Sequence, residues 1–265
     1  MTKNRIDTKL EQVKAAGKKA LIPFVTAGDG GYDLTEQIVL KLAENGADLI
    51  ELGVPFSDPI AEGPVIQRAS ERALSGGTTL AGIFELVKKL RKKLNDTPLL
   101  LMMYLNTIYR YGTERFFAQC KETGIDGVIV PDLPYEEKDE IQGTADAYGI
   151  HNISLVTPAS EGRIQMIAAD ATGFLYCVFS NGVTGVRTSF ETDFRAFFDA
   201  IYQAAKVPCC VGFGISSPEA AKQMSQYCDG VIVGSAIVKL VEKYGAQAAE
   251  PVGSFLASLR QALDA

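Results

Sequence analysis

The chain has 265 residues, of which 47% are hydrophobic, and it carries a formal net charge of −6. This length accommodates one (β/α)8 barrel or two small domains, and the apolar fraction is enough for a large buried core. The acidic balance argues against a nucleic-acid-binding surface, which needs a basic face, although backbone N–H groups can still bind a small anion.

Short apolar runs alternate with amphipathic segments along the chain, as in proteins built from strand–helix units. The predicted strands are residues 20–26, 48–53, 98–104, 127–130, 152–156, 174–179, 208–212 and 230–233. The predicted helices are residues 32–44, 78–93, 113–122, 192–205 and 236–243, together with a helix that starts at Ser217 and Pro218. Most of the strands are almost continuously apolar, which is typical of parallel strands buried on both faces.

Eight strand–helix alternations predict an α/β fold, a single TIM barrel that spans residues 1–265 as one domain. The segment before residue 20 is expected to form an extra N-terminal helix that covers the bottom of the barrel. Residues 56–78 are predicted to be a long connection on the opposite, active face. A doubly wound open sheet is the alternative, but the first strand is not followed by the GxGxxG typical of that fold.

The N-terminal sequence and the cysteine pattern indicate the cellular compartment of the protein. The N-terminal residues contain no apolar segment typical of a signal peptide, and the apolar runs are too short to span a membrane. The five cysteines are an odd number without CxxC spacing, which argues against a disulfide framework or a zinc site. We therefore expect a cytoplasmic protein with reduced thiols, with neither a nucleic acid nor a membrane as partner.

The active site of such a barrel lies at the C-terminal ends of its strands, where Glu51 is a charged residue inside an apolar strand. Because the only histidine, His151, is expected in a loop or at a strand edge, acid–base chemistry falls to carboxylates or tyrosines. Burial raises the pKa of a carboxylate, which suits proton transfer near neutral pH. The alternative is a structural glutamate paired with a cation, but only Lys41 lies within ten residues, on the preceding predicted helix.

A second carboxylate, Glu62, follows eleven residues later on a loop rich in proline and glycine. Two carboxylates over one barrel mouth can divide the acid and base roles. Asp58, between Ser57 and Pro59, is interpreted as a turn former.

Glycine-rich turns late in the chain indicate a phosphate site. Residues 212–216 follow the seventh predicted strand, and Gly234 and Ser235 follow the eighth and open a helix. TIM barrels often bind phosphate at these two loops, where glycine lets the backbone approach the ligand. A third glycine-rich turn, residues 180–185, follows the sixth strand. The alternative is that these glycines serve tight turns only.

The motif ELGVPFSDP at residues 51–59, followed by Gly63, Pro64 and Gln67, closely resembles the tryptophan synthase α subunit family. The other matching stretches are residues 23–29, 104–106, 130–134, 182–185, 212–215 and 234–238. Their order and spacing agree together, and the resemblance covers nearly the whole chain. It implies a lyase that cleaves indole-3-glycerol phosphate to indole and glyceraldehyde 3-phosphate by a retro-aldol reaction in tryptophan biosynthesis. It also implies no cofactor in this chain and a pyridoxal-phosphate β subunit as partner in an α2β2 heterotetramer.

The resemblance also implies roles for single residues. Glu51 matches the family's acid–base glutamate, Glu62 takes the place of a second carboxylate that contacts the indole N–H, and Tyr176 matches a tyrosine near the glyceryl chain. The substrate-binding positions are Phe24 and Ile153 for the indole, Gly185, Gly214, Gly234 and Ser235 for the phosphate, and Thr184, which bonds the second carboxylate and closes the site.

Glu62 departs from the family pattern, which has aspartate at this position. Glutamate keeps the charge but extends the reach by roughly 1.5 Å and adds a torsion that must be ordered. Either the loop is reshaped around Glu62, or the isolated chain is a weak catalyst that closes properly only with its β partner. The alternative functions are a poorly catalytic, ligand-dependent activator of a β subunit, and a sugar-phosphate isomerase or related indole-glycerol-phosphate barrel, which lacks the motif at residues 51–59.

Overall fold

A computed structural model describes residues 3–178, 190–212 and 214–265. The strands in these ranges are β1 Ala20–Thr26, β2 Ile50–Gly53, β3 Leu99–Met102, β4 Gly127–Ile129, β5 His151–Ile153, β6 Leu155–Val156, β7 Leu175–Cys177, β8 Cys209–Gly212 and β9 Gly230–Val233. The α-helices are α1 Arg5–Ala15, α2 Tyr32–Glu44, α3 Pro64–Ser75, α4 Leu80–Arg91, α5 Leu105–Tyr111, α6 Thr113–Thr123, α7 Asp139–Tyr148, α8 Ile164–Asp170, α9 Phe190–Tyr202, α10 Pro218–Ser225, α11 Ser235–Tyr244 and α12 Ala249–Asp264.

The strands form one parallel sheet in the order β5-β4-β3-β2-β1-β9-β8-β7-β6. Its two end strands, β5 and β6, are separated in the chain by Ser154 alone. Because one residue joins them, the two ends of the sheet meet, and the Ser154 carbonyl accepts a hydrogen bond from the N–H of Tyr176 on β7 at 3.0 Å. The predicted TIM barrel is confirmed, and the ninth strand arises because the predicted fifth strand, residues 152–156, is divided at Ser154.

Alternation along β2 decides which side chains face the barrel interior. Ile50 and Leu52 pack outward into the core shared with the helices, whereas Leu49 belongs to the inner cluster. Because successive side chains of a strand point to opposite faces, Glu51 has the same parity as Leu49 and faces the interior. The strand therefore delivers a carboxylate into the barrel.

Helix α1 closes the bottom of the barrel, as expected. Its side chains Ile6, Leu10 and Val13 are buried in the inner cluster. A Cβ on Gly127, which begins β4, would lie 3.0 Å from Ile6 Cδ1, so Ile6 reaches the N-terminal ends of the strands. Asn4 begins the helix by accepting a hydrogen bond from the Ile6 N–H at 2.9 Å.

The prediction of a long connection over residues 56–78 is wrong in extent, because α3 lies within it. Pro64 is the first helical residue, where its missing N–H leaves no bond unmade. Ile66, Ala69 and Ala73 are buried at helical spacing. The true connection ends at Gly63, so Glu62 lies next to the start of a packed helix.

The single histidine, His151, begins β5, and its Nε2 lies 3.0 Å from Asp7 of α1. This contact joins the strand to the helix that closes the barrel, away from the C-terminal ends of the strands. All five cysteines are free and buried. No helix in the described part of the chain is long and apolar enough to cross a membrane.

Candidate active site

Glu51 lies in β2, two residues before the strand ends at Gly53, with none of its surface exposed. Neither carboxylate oxygen has a hydrogen-bond partner among the described residues. Lys41 bonds Glu44 and Glu250 instead, so the nearest cation in sequence does not neutralise Glu51. Burial raises the pKa of Glu51 well above its usual range. A buried carboxylate without a partner stays protonated, so this side chain can donate a proton to a bound molecule.

Phe24 is the cross-strand neighbour of Glu51 on β1. A Cβ on Gly53 would lie 2.4 Å from Phe24 Cζ, and a Cβ on Gly234 would lie 3.5 Å from Phe24 Cβ. Gly53 therefore leaves room for the aromatic side chain, whereas a Cβ on Gly234 would be in ordinary contact with it. Phe24 thus links the strand of Glu51 to the start of α11.

Tyr176 of β7 occupies the same interior. A Cβ on Gly212 would lie 2.5 Å from the Tyr176 hydroxyl, so the ring rests on the end of β8. Burial and then the charge of Glu51 raise the pKa of Tyr176 well above its usual range. The phenol is therefore a hydrogen-bond donor within electrostatic reach of Glu51, and it does not ionise near neutral pH.

The loops after β8 and β9 are neighbours because these two strands pair. Helix α11 begins at Ser235 with Gly234 as its N-cap, and no side chain of the described residues caps its free N–H groups. Gly214 has a φ of +72°, a conformation that favours glycine. Uncapped N–H groups at a helix start beside a glycine turn can bind a phosphate.

Glu62 lies half-buried on the loop before α3, where the Tyr104 hydroxyl donates a hydrogen bond to Glu62 Oε2. The same hydroxyl accepts bonds from the N–H groups of Ile60 and Ala61, each at 2.9 Å. The Gln67 side chain binds the Glu62 carbonyl at 2.9 Å. Burial raises the pKa of Glu62, while the bond from Tyr104 opposes the increase. Burial and Glu62 together raise the pKa of Tyr104 to about 12.

The structure brings Glu51, Phe24 and Tyr176 together in the barrel interior, with Gly234 beside Phe24. Other predicted site residues lie elsewhere. The two carboxylates Glu51 and Glu62 make no hydrogen bond with each other, and Glu62 is fixed at the end of β3 instead. Ile153 is buried in the inner cluster that also contains side chains of α1. Residues 184 and 185, predicted to close the site and to bind phosphate, lie outside the described residues.

The sequence did not predict a role for three features near the C-terminal ends of the strands. Tyr104 belongs to a family-like stretch but had no assigned contact. Ile66 of α3 and Val238 of α11 pack in one cluster with Phe24. Thr26 is 5% exposed, and its Oγ1 has no partner within the described ranges. Thr26 could have been predicted to face the site, because it is a polar residue at the end of an apolar strand and has the same parity as Phe24.

Known proteins share both this fold and this sequence. The family model for the tryptophan synthase alpha chain matches residues 10–264. The tryptophan synthase alpha chain of Clostridium kluyveri is 44% identical over 263 residues, which cover 98% of this chain and 100% of that protein. The crystal structure of tryptophan synthase subunit alpha from Legionella pneumophila has a TM-score of 0.91 at 42% identity, and the match covers 98% of each chain. A chain of the tryptophan synthase a2b2 complex from Pyrococcus furiosus has a TM-score of 0.81 at 35% identity and covers 91% of this chain and 98% of that one.

These matches agree in length, in barrel architecture and in sequence. Identity above 40% over nearly the full length of both chains is far beyond a likeness of fold alone. The chain belongs to the tryptophan synthase alpha chain family.

Proposed function

We propose that this chain is a lyase that cleaves indole-3-glycerol phosphate to indole and glyceraldehyde 3-phosphate. The observation that carries the proposal is Glu51, a fully buried carboxyl group on a barrel strand, without a hydrogen-bond partner among the described residues. Membership of the tryptophan synthase alpha chain family supports the reaction class.

The reaction breaks the bond between indole C3 and the glyceryl chain. Carbon C3 must gain a proton, and the C3′ hydroxyl must lose one as its carbon becomes an aldehyde. The protonated Glu51 donates the first proton and, once ionised, accepts the second, so the group returns to its starting state. Glu62 accepts a hydrogen bond from the indole N–H as positive charge develops on the ring, which stabilises the transition state. These steps are proton transfers and require no cofactor in this chain.

The remaining predicted residues bind the substrate. Phe24 and Ile153 contact the indole, and Tyr176 donates to the glyceryl chain. The phosphate lies at the start of α11, held by Gly214, Gly234, Ser235 and Gly185, and Thr184 bonds Glu62 and helps exclude water from the closed site.

We further propose a β subunit as partner, since one matching structure is an a2b2 tryptophan synthase complex. Indole then passes through a tunnel to pyridoxal phosphate in the β subunit of an α2β2 heterotetramer. Residues 1–265 form one domain, and the protein acts in the cytoplasm, with no role for nucleic acid or membrane.

Incubation of the purified chain with indole-3-glycerol phosphate, with and without a β subunit, tests the function. We expect indole and glyceraldehyde 3-phosphate in equal amounts, formed faster with the partner. Absence of indole under both conditions contradicts the lyase function. A chain that accelerates the β reaction but releases no indole is the activator instead, which the intact Glu51 and phosphate glycines do not favour.

A further inference from the structure

The hydroxyl of Tyr104 has all of its hydrogen-bonding capacity committed to the loop that carries Glu62. It donates to Glu62 Oε2 and accepts from the N–H groups of Ile60 and Ala61 at 2.9 Å each. A phenol oxygen offers one donor and two lone pairs, so no further contact remains for it. Tyr104 therefore fixes both the backbone and the carboxylate of this loop.

Tyr104 is itself held firmly. Its side chain is 4% exposed, and its ring stacks on Phe56 with centroids 4.8 Å apart and planes inclined by 26°. The next residue, Leu105, begins α5, and its N–H donates to Asp132 Oδ1 at 2.9 Å. The hydroxyl is thus a fixed point attached to the end of β3, whereas Glu62 is carried by a loop.

Side-chain length decides whether this contact forms. Glutamate has one methylene more than aspartate, which extends its reach by about 1.5 Å. An aspartate on the same backbone would stop short of Tyr104 by that distance, beyond hydrogen-bonding range. The phenol has a pKa of about 12, so it is protonated and donates near neutral pH. A donor to an ionised carboxylate makes one of the stronger hydrogen bonds in proteins.

We propose that Tyr104 is a positioning residue for Glu62, which holds Oε2 so that Oε1 is presented to the indole N–H of the substrate. The bond orders the additional torsion of glutamate before the substrate arrives, so the working unit is the Tyr104–Glu62 pair. This inference rests on the proposed function, because it takes the indole N–H of the substrate as the donor to Glu62.

A double-mutant cycle on indole release tests the pair, with kcat and KM measured for the native chain, Tyr104→Phe, Glu62→Asp and the double variant. We expect Tyr104→Phe to lower kcat by about 10- to 100-fold with a smaller change in KM, since misplacement by ~1 Å has effects of this size. In the Glu62→Asp background the same change should lower kcat less than about threefold, because the contact is already absent. Tyr104→Phe also removes the acceptor of the Ile60 and Ala61 N–H groups. This second effect is the same in both backgrounds, so it cancels in the coupling that the cycle measures.

The matched control is Tyr109→Phe, which removes another tyrosine–glutamate bond, that of Tyr109 to Glu140 at 3.0 Å on the surface. It should leave both constants unchanged. Equal losses from Tyr104→Phe in the two backgrounds would overturn the inference while the lyase function stands.

A carbon-13 NMR titration of the Glu62 carboxyl group tests the contact without turnover. Besides Tyr104, the Glu62 carboxylate faces Asp132, which raises its pKa, and the N–H groups of Ala61 and Glu62, which lower it. Removal of the Tyr104 hydroxyl removes a donor, so the Glu62 pKa should rise in Tyr104→Phe and stay constant in Tyr109→Phe. An unchanged pKa contradicts the inference. If the native chain releases no indole, the proposed function fails and the role of Glu62 toward the indole N–H fails with it, while this titration still decides whether Tyr104 holds the Glu62 carboxylate.

Discussion

Glu51 and Tyr176 share the barrel interior, where burial, and then the charge that Glu51 carries when it is ionised, raise the pKa of the Tyr176 phenol. Glu51 has no hydrogen-bond partner among the described residues, whereas the Tyr176 ring rests on Gly212. Both acids therefore hold their protons in this structure. They differ in acidity, since a carboxyl group is by nature the far stronger acid and therefore the better proton donor to a substrate.

Replacing Glu51 with glutamine should stabilise the fold increasingly as the pH rises. The raised pKa of Glu51 means that the folded chain keeps a proton which the unfolded chain releases. The stability from that proton is fully present below the unfolded pKa of about 4.3 and is lost as the pH rises through the folded pKa. Glutamine has no such proton. In urea unfolding, the free energy of unfolding of Glu51→Gln should therefore rise relative to that of the native chain above about pH 5. The exposed Glu71→Gln is the control, and an equal pH dependence of the free energy of unfolding for the two variants would contradict the buried, unpaired state of Glu51.

Tyr176→Phe should lower the activity by less than about tenfold. A neutral hydrogen bond contributes about 1 kcal/mol, which corresponds to less than about tenfold in rate. Loss of a general acid or base lowers the rate by about 100- to 10,000-fold. Because the raised pKa keeps the phenol protonated, we expect the smaller effect on kcat in the indole assay. A loss as large as that of Glu51→Gln would show that Tyr176 transfers a proton itself.

Ser235→Asp should weaken substrate binding at the start of α11. The uncapped N–H groups there favour an anion, and a carboxylate at the first position repels a phosphate while leaving the helix itself stable. We expect KM for indole-3-glycerol phosphate to rise at least about tenfold, equivalent to ~1.4 kcal/mol, with little change in kcat. Ser235→Asn, which has the same shape without the charge, is the control. Equal KM values for the two variants would place the phosphate elsewhere.

Asp126→Ala should lower the free energy of unfolding without changing kcat. The carboxylate is almost fully buried and accepts bonds from Arg5 at 2.7 Å and Arg91 at 2.6 Å, and burial lowers the pKa of Arg91 to about 10. Removal of one partner from a buried ion pair costs about 3–5 kcal/mol. The control Glu136→Ala breaks an exposed pair with Arg163 and should lower the free energy of unfolding far less. Since Asp126 precedes β4, at the bottom of the barrel, kcat below the melting temperature should stay constant, and a change in kcat would contradict this separation.

The barrel could be predicted from the sequence because its strands are separate apolar runs and its helices have clear spacing. Glu51 stood out for the same reason, as a charge within an apolar strand. The sequence does not predict helix α3 although Gly63 and Pro64 mark its start, because glycine and proline are equally typical of loops. Local pattern also gives no reason for a break at Ser154, which depends on how the barrel closes.

The partners of Glu62 could not be predicted, since Tyr104 lies 42 positions away and the contact depends on how the loop meets the end of β3. Packing of Ile66 and Val238 against Phe24 likewise brings together segments far apart in the chain. Residues 184 and 185 stay a prediction. Sequence thus indicated the residues at strand ends, while their cross-strand and loop contacts required the folded chain.

The central claim is that Glu51 carries the proton transfers of carbon–carbon cleavage, and indole release by Glu51→Gln tests it most directly. Glutamine fits the same buried space but neither donates an acidic proton nor accepts one. We expect kcat to fall by at least about 100-fold, with the fold and ligand binding retained, while Glu71→Gln keeps native activity. Indole release by Glu51→Gln at the native rate would contradict the claim.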